Sequence, residues 1–218
     1  MADPTERHVD AYYDHSREDF LGWVSGTHRS VLEVGCAAGA NAQWYRQHGA
    51  GRLVGVELDA TSADRARPHF DDVIAEPIET AMDHIRGPFD LIVCADVLEH
   101  LVDPWSVTRR LRSLAGPGGS LAISIPNVRF YRALARIALG KGFRYDPEGI
   151  FDVTHLRFFA RSNVDALLKS SGWKPVRWGG NRPRARRLAS LLERLTAGRS
   201  DEWLVYQWWV VAKASSDV

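Results

Sequence analysis

Residues Val31 to Ala42 read VLEVGCAAGANA, and the reading of this stretch decides the fold. Val31, Leu32 and Val34 form the apolar run of a buried strand, with Glu33 near its carboxyl end. The chain then passes Gly35, a pair of small residues and Gly39, and a helical pattern starts from Ala40. A strand that turns through glycines into a helix presents bare backbone N–H groups and a helix N-terminus to a ligand. A carboxylate just ahead of the first glycine suits a cationic group and opposes a pyrophosphate. The pattern therefore predicts a site for a ligand with a positively charged end.

Outward from this turn, strands and helical patterns alternate. Short runs rich in Val, Ile and Leu fall near 30–34, 52–56, 72–75, 89–94 and 120–125, bounded by Gly, Pro or Asp. Helical patterns lie near 39–48, 60–68, 78–85 and 103–114, and Pro117-Gly118-Gly119 turns the chain into the fifth strand. This predicts an α/β, Rossmann-like three-layer sandwich, a mostly parallel seven-stranded sheet whose ligands sit at the carboxyl ends of its strands. Beyond residue 127 the pattern changes. An insertion over 128–150 is followed by a helix from about Arg161 to Ser171, a strand near 174–179, a basic helical decoration over 182–200 and the aromatic-rich run Trp203 to Lys213. The last two strands lack a full crossover helix between them, which predicts an antiparallel edge strand. The whole, 1–218, is read as a single domain.

Composition narrows the function. The 218 residues are 45% hydrophobic and 25% charged, as expected of one globular domain with a sizeable core. A formal net charge of +1 gives no whole-chain reason to expect nucleic acid. The N-terminal residues carry no secretory pattern, and no apolar run approaches the roughly 18 residues of a membrane span, so a cytoplasmic location without a membrane span is expected. Cys36 and Cys94 lie in or beside central strands and are expected as buried thiols rather than a disulfide. No metal site is expected.

Glu57 closes the second strand in LVGVELD, 22 residues after Gly35. An acid at about that distance accepts hydrogen bonds from a ribose diol. Gly35, Ala37 and Gly39 recur at two-residue intervals instead of G-x-G-x-x-G, and Glu33 precedes them, which favours S-adenosyl-L-methionine over a nicotinamide dinucleotide.

With these residues in view, the chain resembles the class I S-adenosylmethionine-dependent methyltransferases, over roughly Tyr12 to Trp173. The blocks that carry the likeness are YYDHSREDFLGWV, VLEVGCAAGA, FDLIVCADVLEHLVDPW, and LAISIPN followed by GIFDVTHLRFF. Together they look like a bacterial subgroup linked with sugar and cell-surface polysaccharide biosynthesis. The resemblance implies that Glu33, Gly35, Cys36, Ala37 and Gly39 wrap the methionine part, Glu57 binds ribose and Leu58 packs on adenine. It also places Ala95 and Asp96 by the ammonium group, Leu98 on the adenosine side and Tyr12 or Tyr13 on the carboxylate. Two positions depart from the family pattern. Ala37 stands for a middle glycine, which requires a negative φ or contacts that admit a β-carbon. Glu76-Pro77-Ile78-Glu79 stands for Gly-Asp-Ile-Glu, leaving adenine to Glu76 or to the N–H of Ile78. Asp59 is equally placed to be a helix N-cap.

Methyl transfer to a hydroxyl needs alignment and a group to take the proton. Asp152, Thr154, His155 and Arg157 in FDVTHLRFF, with His100 after the fourth strand, fall on the acceptor side. His155 is either the base or a pin that ties the loop to backbone; His100 is the second candidate, and Asp152 its companion. Asn127 either orients the acceptor or ends its strand, and Tyr131 and Arg157 are further acceptor contacts. Arg129, Arg132 and Arg136 share one helix face, either a lid for an anionic acceptor or a solvated basic face. Leu188, Leu191, Leu192 and Leu195 form an apolar face that packs on the domain or on a partner, a second copy included. The expected function is methylation, on oxygen with nitrogen left open, of a small-molecule or sugar acceptor. An RNA methyltransferase and a non-catalytic cofactor-binding module are the alternatives, the first weakened because aromatics are not interleaved with the Arg182–Arg199 cluster.

Overall fold

The computed structural model describes residues 17–183 and 200–215. Its sheet has seven strands in the order β3-β2-β1-β4-β5-β7-β6. The strands are β1 (Ser30–Val34), β2 (Arg52–Val56), β3 (Asp72–Ile74), β4 (Phe89–Ala95), β5 (Ala115–Pro126), β6 (Trp173–Asn181) and β7 (Gln207–Ala214). The first five pair in parallel, with Glu33 of β1 in register with Gly55 of β2 on one side and Val93 of β4 on the other.

Strands β1, β2 and β4 read as continuous apolar runs because both faces of the sheet are covered. Side chains alternate between the faces. Leu32, Val34, Val54, Val56, Ile92 and Cys94 join a core completed by α4 (Ile78–Ala81), α5 (Pro104–Leu114) and α7 (Arg161–Ser170). Val31, Leu53, Leu91 and Val93 face the other way, against α1 (Glu18–Leu21), α2 (Ala42–Gln47) and α3 (Ala60–Ala66). This is the three-layer sandwich expected. Asp103 caps α5 by accepting from the Ser106 N–H, with Pro104 opening the helix, and Asp59 caps α3 by accepting from the Ser62 N–H at 2.7 Å. Both cysteines are buried and free.

The antiparallel strand falls in the hairpin that forms one edge of the sheet, as expected. β7 runs antiparallel to β5 on one side and to β6 on the other, so β6 is outermost and points the same way as β5. Two apolar faces explain the inner position: Trp208, Val210 and Ala212 enter one core, while Trp209 and Val211 pack on the other.

Between β5 and α7, the chain forms α6 (Tyr131–Arg136) and a π-turn (Ile137–Lys141), with Phe130, Ala133, Ile150 and Phe151 as a small core of their own. A last short helix, α8 (Asp201–Leu204), precedes β7. Most of the basic decoration expected over 182–200, and Tyr13, lie outside the described residues. No helix among the described residues is long and apolar enough to cross a membrane.

Candidate active site

The glycine turn stands at the carboxyl end of β1. The N–H groups of Gly35 and Cys36 both donate to the Val56 carbonyl, and the Gly39 N–H donates to the Cys36 carbonyl at 2.9 Å. Gly35 has φ +72°, and a β-carbon there would meet Val97 Cγ2 at 2.8 Å, so both conformation and space demand glycine. Ala37 adopts φ +48°, so it satisfies the family turn by tolerating the left-handed region rather than by avoiding it. That conformation costs an alanine about 1–2 kcal/mol. It is offset by its N–H, which donates to Glu57 Oε2 at 2.8 Å.

Glu57 is thereby fixed on both sides. Its Oε1 accepts from the Asp59 N–H at 2.9 Å, and each oxygen keeps a lone pair for a further donor. Glu33 is placed differently from the expectation of a direct ligand contact. It is 1% exposed beneath the turn, its Oε1 accepting from Asn41 Nδ2 at 2.6 Å, with the Tyr45 hydroxyl also beside the carboxyl. Burial pushes its carboxyl up to about 7, against the hydrogen bond from Asn41.

Asp96 follows β4 at φ +56°. Its carboxylate accepts from Arg17 Nη1 and from Gln207 Nε2, while Arg17 Nη2 donates to Gln207 Oε1 at 2.8 Å. The Arg17 backbone N–H donates to Asn41 Oδ1, which links this triad to Glu33. Burial works against the Arg17 charge, but Asp96 and Asp19 outweigh it and hold the guanidinium above its ordinary value. Arg17 and Gln207 are site residues that local sequence patterns did not single out. The signal available for Arg17 was its place in the block before β1.

Other expected contacts sort by burial. Leu58 is 71% exposed beside Glu57, an apolar surface free to stack. The side chains of Ile78 and Leu98 are in the main core, where the helical period of α4 and the turn after β4 direct them; the contact expected of Ile78 is through its backbone N–H, which that burial leaves untouched. Glu76 faces His84 at 4.0 Å.

On the acceptor side, His100 closes a short 3-10 turn (Leu98–His100) after β4, and His155 enters from the loop beyond the insertion. Their rings meet edge to face with centroids 4.7 Å apart. His155 is 7% exposed, with Nδ1 3.1 Å from the Ile150 carbonyl. His100 Nδ1 lies 3.3 Å from the Thr154 carbonyl and 3.1 Å from Thr154 Oγ1, which donates to Asp152 Oδ1 at 2.6 Å. Burial, then the neighbouring His155, lowers the His100 pKa. His155 is thus both tied to backbone and held against His100.

Asn127, expected to orient the acceptor or end its strand, does the latter. It is fully buried, donating to the Glu202 and Val205 carbonyls and accepting from the Arg129 N–H. Arg157 donates to the Val102 carbonyl and braces the loop, and Tyr131 accepts from Arg132 Nε at 3.0 Å. The basic insertion is less cationic than its sequence: Arg129 pairs with Glu202 at 2.5 Å, and Arg136 pairs with Asp146.

Residues 5–177 match a family described as Methyltransferase domain. Two curated relatives are similar: a ubiquinone biosynthesis O-methyltransferase of Bordetella bronchiseptica, 35% identical over 49% of this chain and 48% of its own, and that of Bordetella avium, 30% identical over 72% and 66%. The chain thus spans about half to two thirds of the length of these relatives. The fold resembles the crystal structure of a SAM dependent methyltransferase from Archaeoglobus fulgidus, with TM-score 0.68 and 15% identity over 95% of this chain and 99% of that one.

Proposed function

The chain belongs to the methyltransferase-domain family, within the S-adenosylmethionine-dependent class, and from that premise we propose that it O-methylates a hydroxyl of a small molecule, sugars among its acceptors. One observation carries the reading: an acid fixed by the glycine turn, Glu57, shares the carboxyl end of the sheet with an opposite-charge pair, Arg17 and Asp96. The free lone pairs of Glu57 suit two ribose hydroxyls, and exposed Leu58 suits a purine face. Asp96 suits an ammonium group and Arg17 a carboxylate, as Tyr13 does by resemblance.

When bound, S-adenosylmethionine supplies a methyl group already activated on a sulfonium, so the protein's share is alignment and handling of the acceptor's proton. His100 and His155 each direct Nδ1 at a carbonyl and keep a lone pair on Nε2. Such a lone pair can take a hydroxyl proton. The ion pairs of Arg129 and Arg136 reduce the free positive charge of the insertion, which supports a small acceptor over a polyanion. The names of the curated relatives support oxygen as the acceptor atom.

Calorimetry with adenosylhomocysteine and with NAD tests the donor, and mass spectrometry of phenols and sugars incubated with S-adenosylmethionine tests the acceptor. Binding of adenosylhomocysteine alone and a methyl ether product are expected. Tight NAD binding, or methylation only of RNA, would overturn the reading.

A further inference from the structure

Trp209 stands two residues beyond Gln207 on β7, and side chains two apart in a strand project to the same face. On that face Trp209 packs with Phe20 and Leu21 of α1, the helix that Arg17 leads into. The Trp209 indole Nε1–H donates to Gln207 Oε1 at 3.3 Å, the oxygen that also accepts from Arg17 Nη2. At the other end of the amide, Gln207 Nε2 donates to Asp96 Oδ1.

An indole N–H and a guanidinium only donate, and a carboxylate in an ion pair only accepts. These three partners therefore fix which way round the Gln207 amide lies. Turned over, its NH2 would meet two donors and its oxygen would meet the Asp96 carboxylate. The two donors differ in what else they can do. Arg17 has a rival task, because its guanidinium suits the carboxylate of an incoming amino acid. Trp209 has none, and its ring is held from both sides. Phe20 lies 5.9 Å and Trp23 6.1 Å from it, centroid to centroid. Gly179, the β6 partner of Trp209, makes room for Trp23, since a β-carbon there would come within 2.8 Å of that ring.

We propose that Trp209 is a positioning residue for the methyl donor: its indole N–H keeps the Gln207 amide directed at Asp96 when Arg17 turns to the donor's carboxylate. Gln207 Oε1 then loses one of its two donors, and the indole alone holds it. Asp96 stays anchored by Gln207 Nε2 and keeps lone pairs for the ammonium group. Packing alone does not require the indole nitrogen, because a phenyl ring fills much of the same slot between Phe20 and Trp23. The inference rests on the methyl-donor reading of the site and adds a residue that acts through Gln207.

The test measures, by titration calorimetry on the full chain, affinity for adenosylhomocysteine and for methylthioadenosine. The second has the same nucleoside and a thioether but no amino acid. Trp209→Phe should weaken adenosylhomocysteine binding about fivefold, the worth of one neutral hydrogen bond, and leave methylthioadenosine binding unchanged. Gln207→Leu should weaken it further, and adding Trp209→Phe to that variant should cause no extra loss. Trp44→Phe, at a ring stacked on His48, should change neither affinity. If Trp209→Phe fails to fold by circular dichroism, indole N–H resonances supply the reading. The resonance that moves in Gln207→Leu should shift downfield in wild type on adding adenosylhomocysteine, and stay in place with methylthioadenosine. Unchanged adenosylhomocysteine affinity in Trp209→Phe, equal losses for both ligands, a full extra loss in the double variant, or no such resonance shift would overturn the proposal. Wild type that binds neither ligand would defeat the methyl-donor reading itself, whereas wild-type binding with equal losses in the variant defeats only this inference.

Discussion

Arg17 and Asp96, 79 residues apart in the chain, meet in an ion pair that Gln207 braces from β7. A zwitterionic amino acid carries the same two charges, so its ammonium and carboxylate groups can exchange into this pair one for one. Arg17→Gln should weaken adenosylhomocysteine binding about tenfold or more, since hydrogen bonds to charged groups contribute about 1.5–3 kcal/mol each. Titration calorimetry measures it, and an unchanged affinity would assign Arg17 to closing the fold alone.

Glu57 holds the turn as well as facing the expected ribose. Glu57→Ala removes the acceptor of both the Ala37 and the Asp59 N–H groups, so donor affinity should fall by about a hundredfold, two charge-assisted hydrogen bonds at the same magnitude. Competition by adenosine should weaken in parallel, because both ligands carry the ribose. A loss for adenosylhomocysteine without a loss for adenosine would place the ribose elsewhere.

Glu33 makes stability depend on pH. Its folded-state pKa, about 7, lies above the ordinary 4.5, so the folded chain keeps a proton that the unfolded chain releases between those values. The unfolded state then binds fewer protons, and the Glu33 contribution to stability declines as pH rises from about 4.5 to about 7, levelling off above. Urea unfolding of wild type and Glu33→Gln at pH 5 and pH 8 should show the gap shifting towards the variant by roughly 2 kcal/mol. Parallel profiles would mean that the buried carboxyl titrates normally.

Asn127 ties β5 to the segment leading into β7 through two carbonyls. Asn127→Ala leaves those acceptors unsatisfied in the interior and should cost about 2–4 kcal/mol. Thermal unfolding should register the loss while adenosylhomocysteine affinity in the folded protein changes little. A large drop in affinity at unchanged stability would return Asn127 to the binding surface.

The central strands were legible because burial on both faces writes them as unbroken apolar runs; β1 and β2 begin and end at 30–34 and 52–56, where the apolar pattern places them. The glycine turn was legible because its strain is local: Gly35 and its neighbours must solve it within a few residues. Arg17 and Gln207 were not, because each acquires its surroundings from elements distant in sequence, and no periodicity encodes such a meeting. Glu33 shows the intermediate case. Its proximity to the turn followed from adjacency, but its orientation followed from Asn41, eight residues on, whose amide holds it below the surface. The partner of Arg129 was hidden for a related reason, since Glu202 arrives from 73 residues away.

Gln207 lies past residue 177, where the matched family stretch stops, yet it clasps both members of the pair at the carboxyl end of the sheet. A chimera transplanting only the matched stretch would therefore inherit an unfinished pocket, and grafts or truncations of this protein should carry the terminal hairpin along with the nucleoside-facing half.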